Sequence, residues 1–133
     1  MTTLIRILLL AIAFVVLERL GMFLALGAHP FWSSKATYIG IIAGTLITLC
    51  VAFLDRRAPI TAAKLLIGIV LTTAAIAAIT LLYGKAEFAA SYAENAFAGR
   101  VWYFGFMAMI AGLFVFAAAV ADALIRLRKS KPQ

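Results

Sequence analysis

The sequence predicts an all-α integral membrane protein: four transmembrane helices in two hairpins, with both termini on the cytoplasmic side. Three observations predict it. Four stretches are apolar over about 18 residues or more, basic residues gather where alternate stretches end, and aromatic residues gather at the opposite ends. The composition agrees, with 66% hydrophobic and 13% charged residues and a mean hydropathy of +1.11. Soluble domains are nearer half apolar and a quarter charged. A chain of 133 residues holds one such bundle, so residues 1–133 are read as a single four-helix transmembrane domain.

The first span covers residues 4–26, a length of roughly 34 Å as a helix, against a hydrocarbon core of ~30 Å. The second, 36–54, contains TYIGIIAGTLITLCVAFL. The third covers 60–83 and the fourth 101–125. Arg56, Arg57 and Lys64 flank the link between the second and third spans, Arg126, Arg128, Lys129 and Lys131 follow the fourth, and Arg6 opens the first. The loops on the other side set Lys35, Lys85 and Arg100 against Glu87 and Glu94. Positive charge therefore favours N-in and C-in. Phe31, Trp32, Tyr38, Tyr83, Trp102 and Tyr103 then lie at the outer ends, where an interfacial aromatic belt belongs. Short loops and the lack of an arginine- and serine-rich transit segment point to a bacterial cytoplasmic membrane. A rival reading makes Arg6 and the apolar run after it a secretory signal cleaved near Ala25–Ala28. Against it, the segment from Glu18 to Leu26 is too long and too apolar for a cleavage region.

The two halves are weakly alike. ITAAKLLIGIV answers TTLIRILLLAI, and VAFLDRR and VADALIRLR each place an aspartate ahead of arginine. Either the chain is a parallel pseudo-repeat, or each inward helix end simply collects basic residues. Small residues recur every fourth position at Ala36, Gly40, Gly44, Thr48 and Ala52, and a second stripe runs Gly105, Ala108, Gly112, Ala119 to Asp122. Such stripes let helix backbones approach closely. Gly40, Gly44, Gly105 and Gly112 are the expected packing positions, within the bundle or at a seam between subunits.

Glu18 and Arg19 are the most informative residues. Glu18 falls a few residues past the middle of the first span, where an ionisable group costs at least ~2.5 kcal/mol. Neighbours on a helix point about 100° apart, so each is expected to seek partners on another helix. Thr45 and Thr48, with Thr72 and Thr73, lie at a similar depth counted from the outer ends and offer hydroxyls. Three roles follow: a proton- or cation-coupling carboxylate, a contact to a partner subunit, or a structural pairing within the bundle. Asp55 and Asp122 stand beside arginines at inner helix ends, and Asp122 is spaced for an i,i+4 pair with Arg126, which favours a structural role.

In the second outer loop, AEFAASYAENAFAG reads as a short interfacial helix. His29 has no ligand companions and reads as a solvated turn residue, and Cys50 has no partner for a disulfide or a metal site. No basic stripe interleaved with aromatics marks a nucleic-acid surface. Nor is there a metal quartet, an activated nucleophile, a phosphate loop or an axial-ligand pair. The expectation is a non-enzyme with no cofactor and no metal, its partners being membrane lipids and other membrane subunits or further copies of itself.

Three resemblances cover the layout and a few residues each. A glutamate in the first of four short helices resembles the small multidrug-resistance transporters, although the proline-, tyrosine- and tryptophan-bearing third-helix motifs have no counterpart. Two hairpins whose second helices end in FLDRR and ALIRLR look like the GtrA-like small flippase-type proteins, which carry an asparagine before the arginine where this chain has Asp55 and then Ala58–Pro59. Pro30–Trp32 is similar to a tripeptide of some ATP synthase accessory proteins. The leading expectation is an accessory or structural subunit of a membrane complex. The alternative is a small oligomeric transporter or flippase coupled through Glu18.

Overall fold

The computed structural model describes residues 3–57 and 61–129, all in helices and short turns. The helices are α1 (Thr3–Arg19), α2 (Met22–Ala25), α3 (Ser33–Arg57), α4 (Ala62–Ala78), a π-helical segment (Ile79–Lys85), α5 (Ala86–Ala90) and α6 (Ala96–Lys129). Ala58, Pro59, Ile60 and Lys131 lie outside the described residues. Three helical stretches are long and apolar enough to cross a membrane: Ser33–Asp55, Ala62–Ala90 and Ala96–Arg128. The protein is thus a multi-span, membrane-embedded helical protein.

The first apolar stretch is not the single helix expected over 4–26. It stops at Arg19, and Gly21 takes a left-handed φ of 76° with its N–H donating to the Glu18 carbonyl at 2.9 Å. That is the 5→2 bond of a glycine-terminated helix, and a side chain at Gly21 would strain it. Only one further turn, α2, follows. Seventeen residues of α1 give about 25 Å of helix.

α6 is the axis of the molecule. α3 packs along one side of it and the α4–π–α5 stretch along another, while α1 leans on α3 and more lightly on α6. α4 does not approach α1 or α3. Glycine explains how closely the backbones meet. A Cβ on Gly40 would stand 2.7 Å from Ile110, and one on Gly44 would stand 2.9 Å from Phe114. On the other side of α6, Gly105 receives Thr80 and Gly112 receives Thr73. Both α3 glycines therefore face α6, whereas the α6 glycines face the third apolar stretch. The core between them is Phe106, Ile110 and Phe114, with Phe14 edge-on to Phe114 at 5.3 Å.

The third apolar stretch is longer than expected and needs no separate interfacial helix. AEFAA prolongs it as α5, a turn over residues 91–95 reverses the chain, and α6 already begins at Ala96. Alanine keeps both segments helical, and Tyr92 and Ala93 make the reversal with φ of 54° and 68°. The π segment widens the helix so that Thr80 and Gly84 are both buried, with a Cβ on Gly84 only 2.7 Å from the Trp102 backbone N.

Gly40→Ala is expected to lower stability in detergent by ~1–3 kcal/mol through overpacking on Ile110. Gly68, with nothing within 4 Å of its Cβ position, provides the contrast. Gly68→Ala should instead gain roughly 0.5–1 kcal/mol of helix stability. Denaturation of the two variants in the same micelles reads the difference, and equal responses would contradict the packing described.

Candidate functional site

Polar side chains gather at the two ends of the bundle. At the aromatic end, α1 terminates with Glu18 and Arg19 in its last turn rather than near the middle of a long helix. The Glu18 side chain is only 8% exposed and that of Arg19 72%. The two helix neighbours diverge: Arg19 Nε lies 3.8 Å from Glu18 Oε2, an ion pair without a hydrogen bond, and Arg19 Nη2 donates to the Tyr38 hydroxyl at 3.3 Å. Ser34 Oγ, in the first turn of α3, donates to Glu18 Oε1, while the buried Oε2 accepts no hydrogen bond.

Ser34 thus takes the place expected of the threonines. Thr48 donates to its own helix at the Gly44 carbonyl (2.8 Å), Thr45 is half-buried, Thr73 lies against Gly112, and Thr72 is exposed on α4. Depth counted along a continuous first helix misplaces Glu18 because the chain breaks at Gly21. The helix-stop signal was present in the sequence, as a basic residue followed two positions later by glycine.

Beside this pair stands an aromatic cluster. Trp102 is buried rather than part of a surface belt, and its Nε1 donates to the Gly27 carbonyl at 3.0 Å. Trp32 meets Trp102, Tyr103 and Phe106 edge-on, and His29 stacks on Trp32 at 5.7 Å. His29 is accordingly half-buried, not a solvated turn residue. Phe31, at 95% exposure, Tyr38 and Tyr83 remain on the surface.

At the basic end, four charges from three helices form a chain. Arg6 Nη1 of α1 donates to Asp122 Oδ1 of α6; Arg126 Nη2 donates to Asp55 Oδ2 of α3 at 2.7 Å and lies 3.8 Å from Asp122 Oδ2. Arg6 Nη2 also donates to Thr3 (3.2 Å), and its buried Nε has no acceptor among the described residues. The i,i+4 spacing of Asp122 and Arg126 is therefore the weaker contact, and each aspartate has its hydrogen-bonded arginine on another helix. Sequence spacing could not show this, since Arg6 and Asp122 are 116 positions apart.

These charges line a cavity of about 330 Å³ bounded by α1, α3, α4 and α6. Its remaining wall is largely apolar, with Leu10, Leu66, Ile69 and Val115 among the lining residues beside Thr3 and Thr48. The α4 backbone makes no close approach to that of α1 or α3, so these helices face one another across the cavity. Among the described residues, no group of three or more His, Cys, Asp or Glu side chains is placed to hold a metal. Comparison of the chain with protein-family models, curated proteins and solved structures returns no match.

Two outcomes follow from this geometry. Ser34 and Glu18 should be coupled by about 1 kcal/mol or more in a double-mutant cycle of their alanine variants, whereas Thr45→Ala should couple to Glu18 negligibly. At the other end, Asp122→Asn should destabilise the fold more than Arg6→Gln or the double variant, because it leaves Arg6 without its carboxylate, whereas Asp122 without Arg6 keeps Arg126 at 3.8 Å. Unfolding of Arg6→Gln, Asp122→Asn and the double variant in micelles measures it.

Proposed function

We propose that this protein is a non-catalytic accessory or structural subunit of a membrane assembly, crossing a bacterial cytoplasmic membrane four times with both termini inside. The observation that carries this reading is the state of α4. It has no buried residue, and its outward positions include Gly68, Thr72 and Ala75, which share a helix face by their spacing. Small residues let a neighbouring helix approach closely and gain dispersion contacts that lipid chains do not provide. The α3 stripe is already spent on α6, so the α4 face is the one left for a partner helix. Thr72 offers that helix a hydroxyl; the exposed Arg19 guanidinium, on α1 and away from α4, is a separate point of contact for a partner.

A second reading, a small oligomeric transporter or flippase, is favoured by one specific observation, the burial of the Glu18 carboxylate at the aromatic end. Glu18 would be its coupling carboxylate, since it is buried and keeps one oxygen without a hydrogen bond.

Gentle extraction from native membranes with a C-terminal tag, followed by mass analysis of the intact assembly, separates the two. A subunit should emerge with a stoichiometric larger partner, and Gly68→Leu should release that partner while leaving the chain folded. A homo-oligomer with no partner, losing pH-dependent flux in Glu18→Gln but staying assembled, would overturn the subunit reading in favour of transport.

A further inference from the structure

We propose that the groove between α1 and α6 at the basic end seats one anionic glycerophospholipid, its phosphate at Arg128 and an acyl chain along an aliphatic wall. Such a site would serve a subunit and a transporter alike.

Beside the four-helix cavity, α1 and α6 alone bound a second groove of about 360 Å³. These two helices run antiparallel. Arg6 meets Asp122 and Phe14 meets Phe114, eight positions on along α1 and eight back along α6. Leu9 and Leu10 follow Arg6 by about one turn, and Leu124 and Ile125 precede Arg128 by about one turn. All six residues line the groove. It therefore leads from two arginines towards the level of Phe14 and Phe114, with aliphatic side chains on both walls. Leu9 is 52% exposed and Leu124 56%, so the groove opens sideways to lipid. A ligand that fits this layout carries its polar group at the arginines and its hydrocarbon deeper in the bilayer.

The sign of the head follows from what lines the groove. Asp55 and Asp122 border the four-helix cavity, whereas no acidic side chain among the described residues borders this groove. Arg6 is turned to Asp122 and Thr3. Arg128 stands outside that ion chain: it is exposed and has no hydrogen bond or ion pair among the described residues. The sequence around it is one-sided, since residues 1–17 and 123–133 hold five basic residues and no Asp or Glu. Phosphate oxygens can accept charge-assisted hydrogen bonds from the Arg128 guanidinium. An ammonium tethered to that phosphate would meet no carboxylate in the groove, so a head of net negative charge is favoured over a zwitterion. Basic helix ends also orient a chain in the membrane. Orientation alone, however, needs no hydrocarbon-lined seat ending at an arginine without a partner.

The test uses the full chain in an uncharged maltoside detergent with equal amounts of phosphatidylglycerol and phosphatidylethanolamine. Native mass spectrometry counts the lipid retained. One phosphatidylglycerol per chain is expected, about tenfold over phosphatidylethanolamine, and soluble glycerophosphoglycerol at the same concentration should not displace it. Arg128→Gln should bring phosphatidylglycerol down to the level of phosphatidylethanolamine. Arg100→Gln, which removes the same charge from an exposed position at the other end of α6, should leave retention unchanged. Ala121→Phe, which narrows the groove without touching a charge, should lower retention of both lipids; if that variant does not fold, the two arginine variants decide. Equal retention of the two lipids, displacement by the soluble headgroup, no change in Arg128→Gln, an equal loss in Arg100→Gln, or full retention in a folded Ala121→Phe would each overturn the proposal.

Discussion

The close approach of α3 and of the α4–π–α5 stretch to α6 is the constraint on which the rest of the molecule depends. In hydrocarbon, apolar side chains gain little by leaving lipid for protein, so helices hold together through backbone proximity and dispersion. Gly40 and Gly44 allow it on one side of α6, and Gly84, Gly105 and Gly112 on the other. Because two different faces of α6 are used, α3 and α4 are held apart. The cleft at the basic end therefore follows from the packing on α6: two helices that share a third need not meet each other.

The same axis aligns the charges. Asp122 and Arg126 share one helix, and Asp55 reaches them because the α3 glycines bring the two backbones together over several turns. Arg6 arrives from α1, whose own packing on α3 and α6 includes Ile7 and Phe14. A long-range ion chain at an interface is held in register by apolar contacts deeper in the bilayer. Its electrostatic worth is modest where Arg126 and Asp122 meet water; its structural consequence is to fix the ends of three helices against one another.

Much of the fold was legible in the residues, and the part that was not has definable causes. Apolar length is a property of single helices, so the stretches around α3, α4 and α6 could be read directly. The end of α1 was written as Arg19, Leu20 and Gly21, yet the apolar run continuing through Met22–Leu26 hid it: hydropathy does not distinguish a helix from a broken one. The extension of the third stretch through α5 was obscured by Lys85 and Glu87, which lower hydropathy without stopping a helix. At the site, spacing within one helix linked Asp122 to Arg126, whereas the hydrogen-bonded partnerships with Arg6 and Asp55 need a tertiary fold to exist. Glu18 was recognisable as unusual, but its partner Ser34 was not, because the depth of a residue cannot be counted along a helix that ends early.

The two polar sites therefore differ in kind. At the aromatic end, Glu18 is a single acid buried at a helix terminus, held by one hydroxyl and flanked by a guanidinium that turns outward to Tyr38. Its position at a C-terminus sets the carboxylate against the negative end of the helix dipole, whereas Arg19 complements it. A local cost of that kind is tolerated when the side chain anchors a connection, and here Ser34 ties the end of α1 to the start of α3 across the α2 turn. The basic end works in the opposite way. Its charges compensate one another, sit at the rim of a real cavity and leave donor capacity unmet. At the aromatic end Ser34 holds one Glu18 oxygen while Oε2 accepts no hydrogen bond, whereas at the basic end each aspartate accepts from an arginine of another helix. The two ends thus connect different helices: α1 to α3 at the aromatic end, and both α1 and α3 to α6 at the basic end.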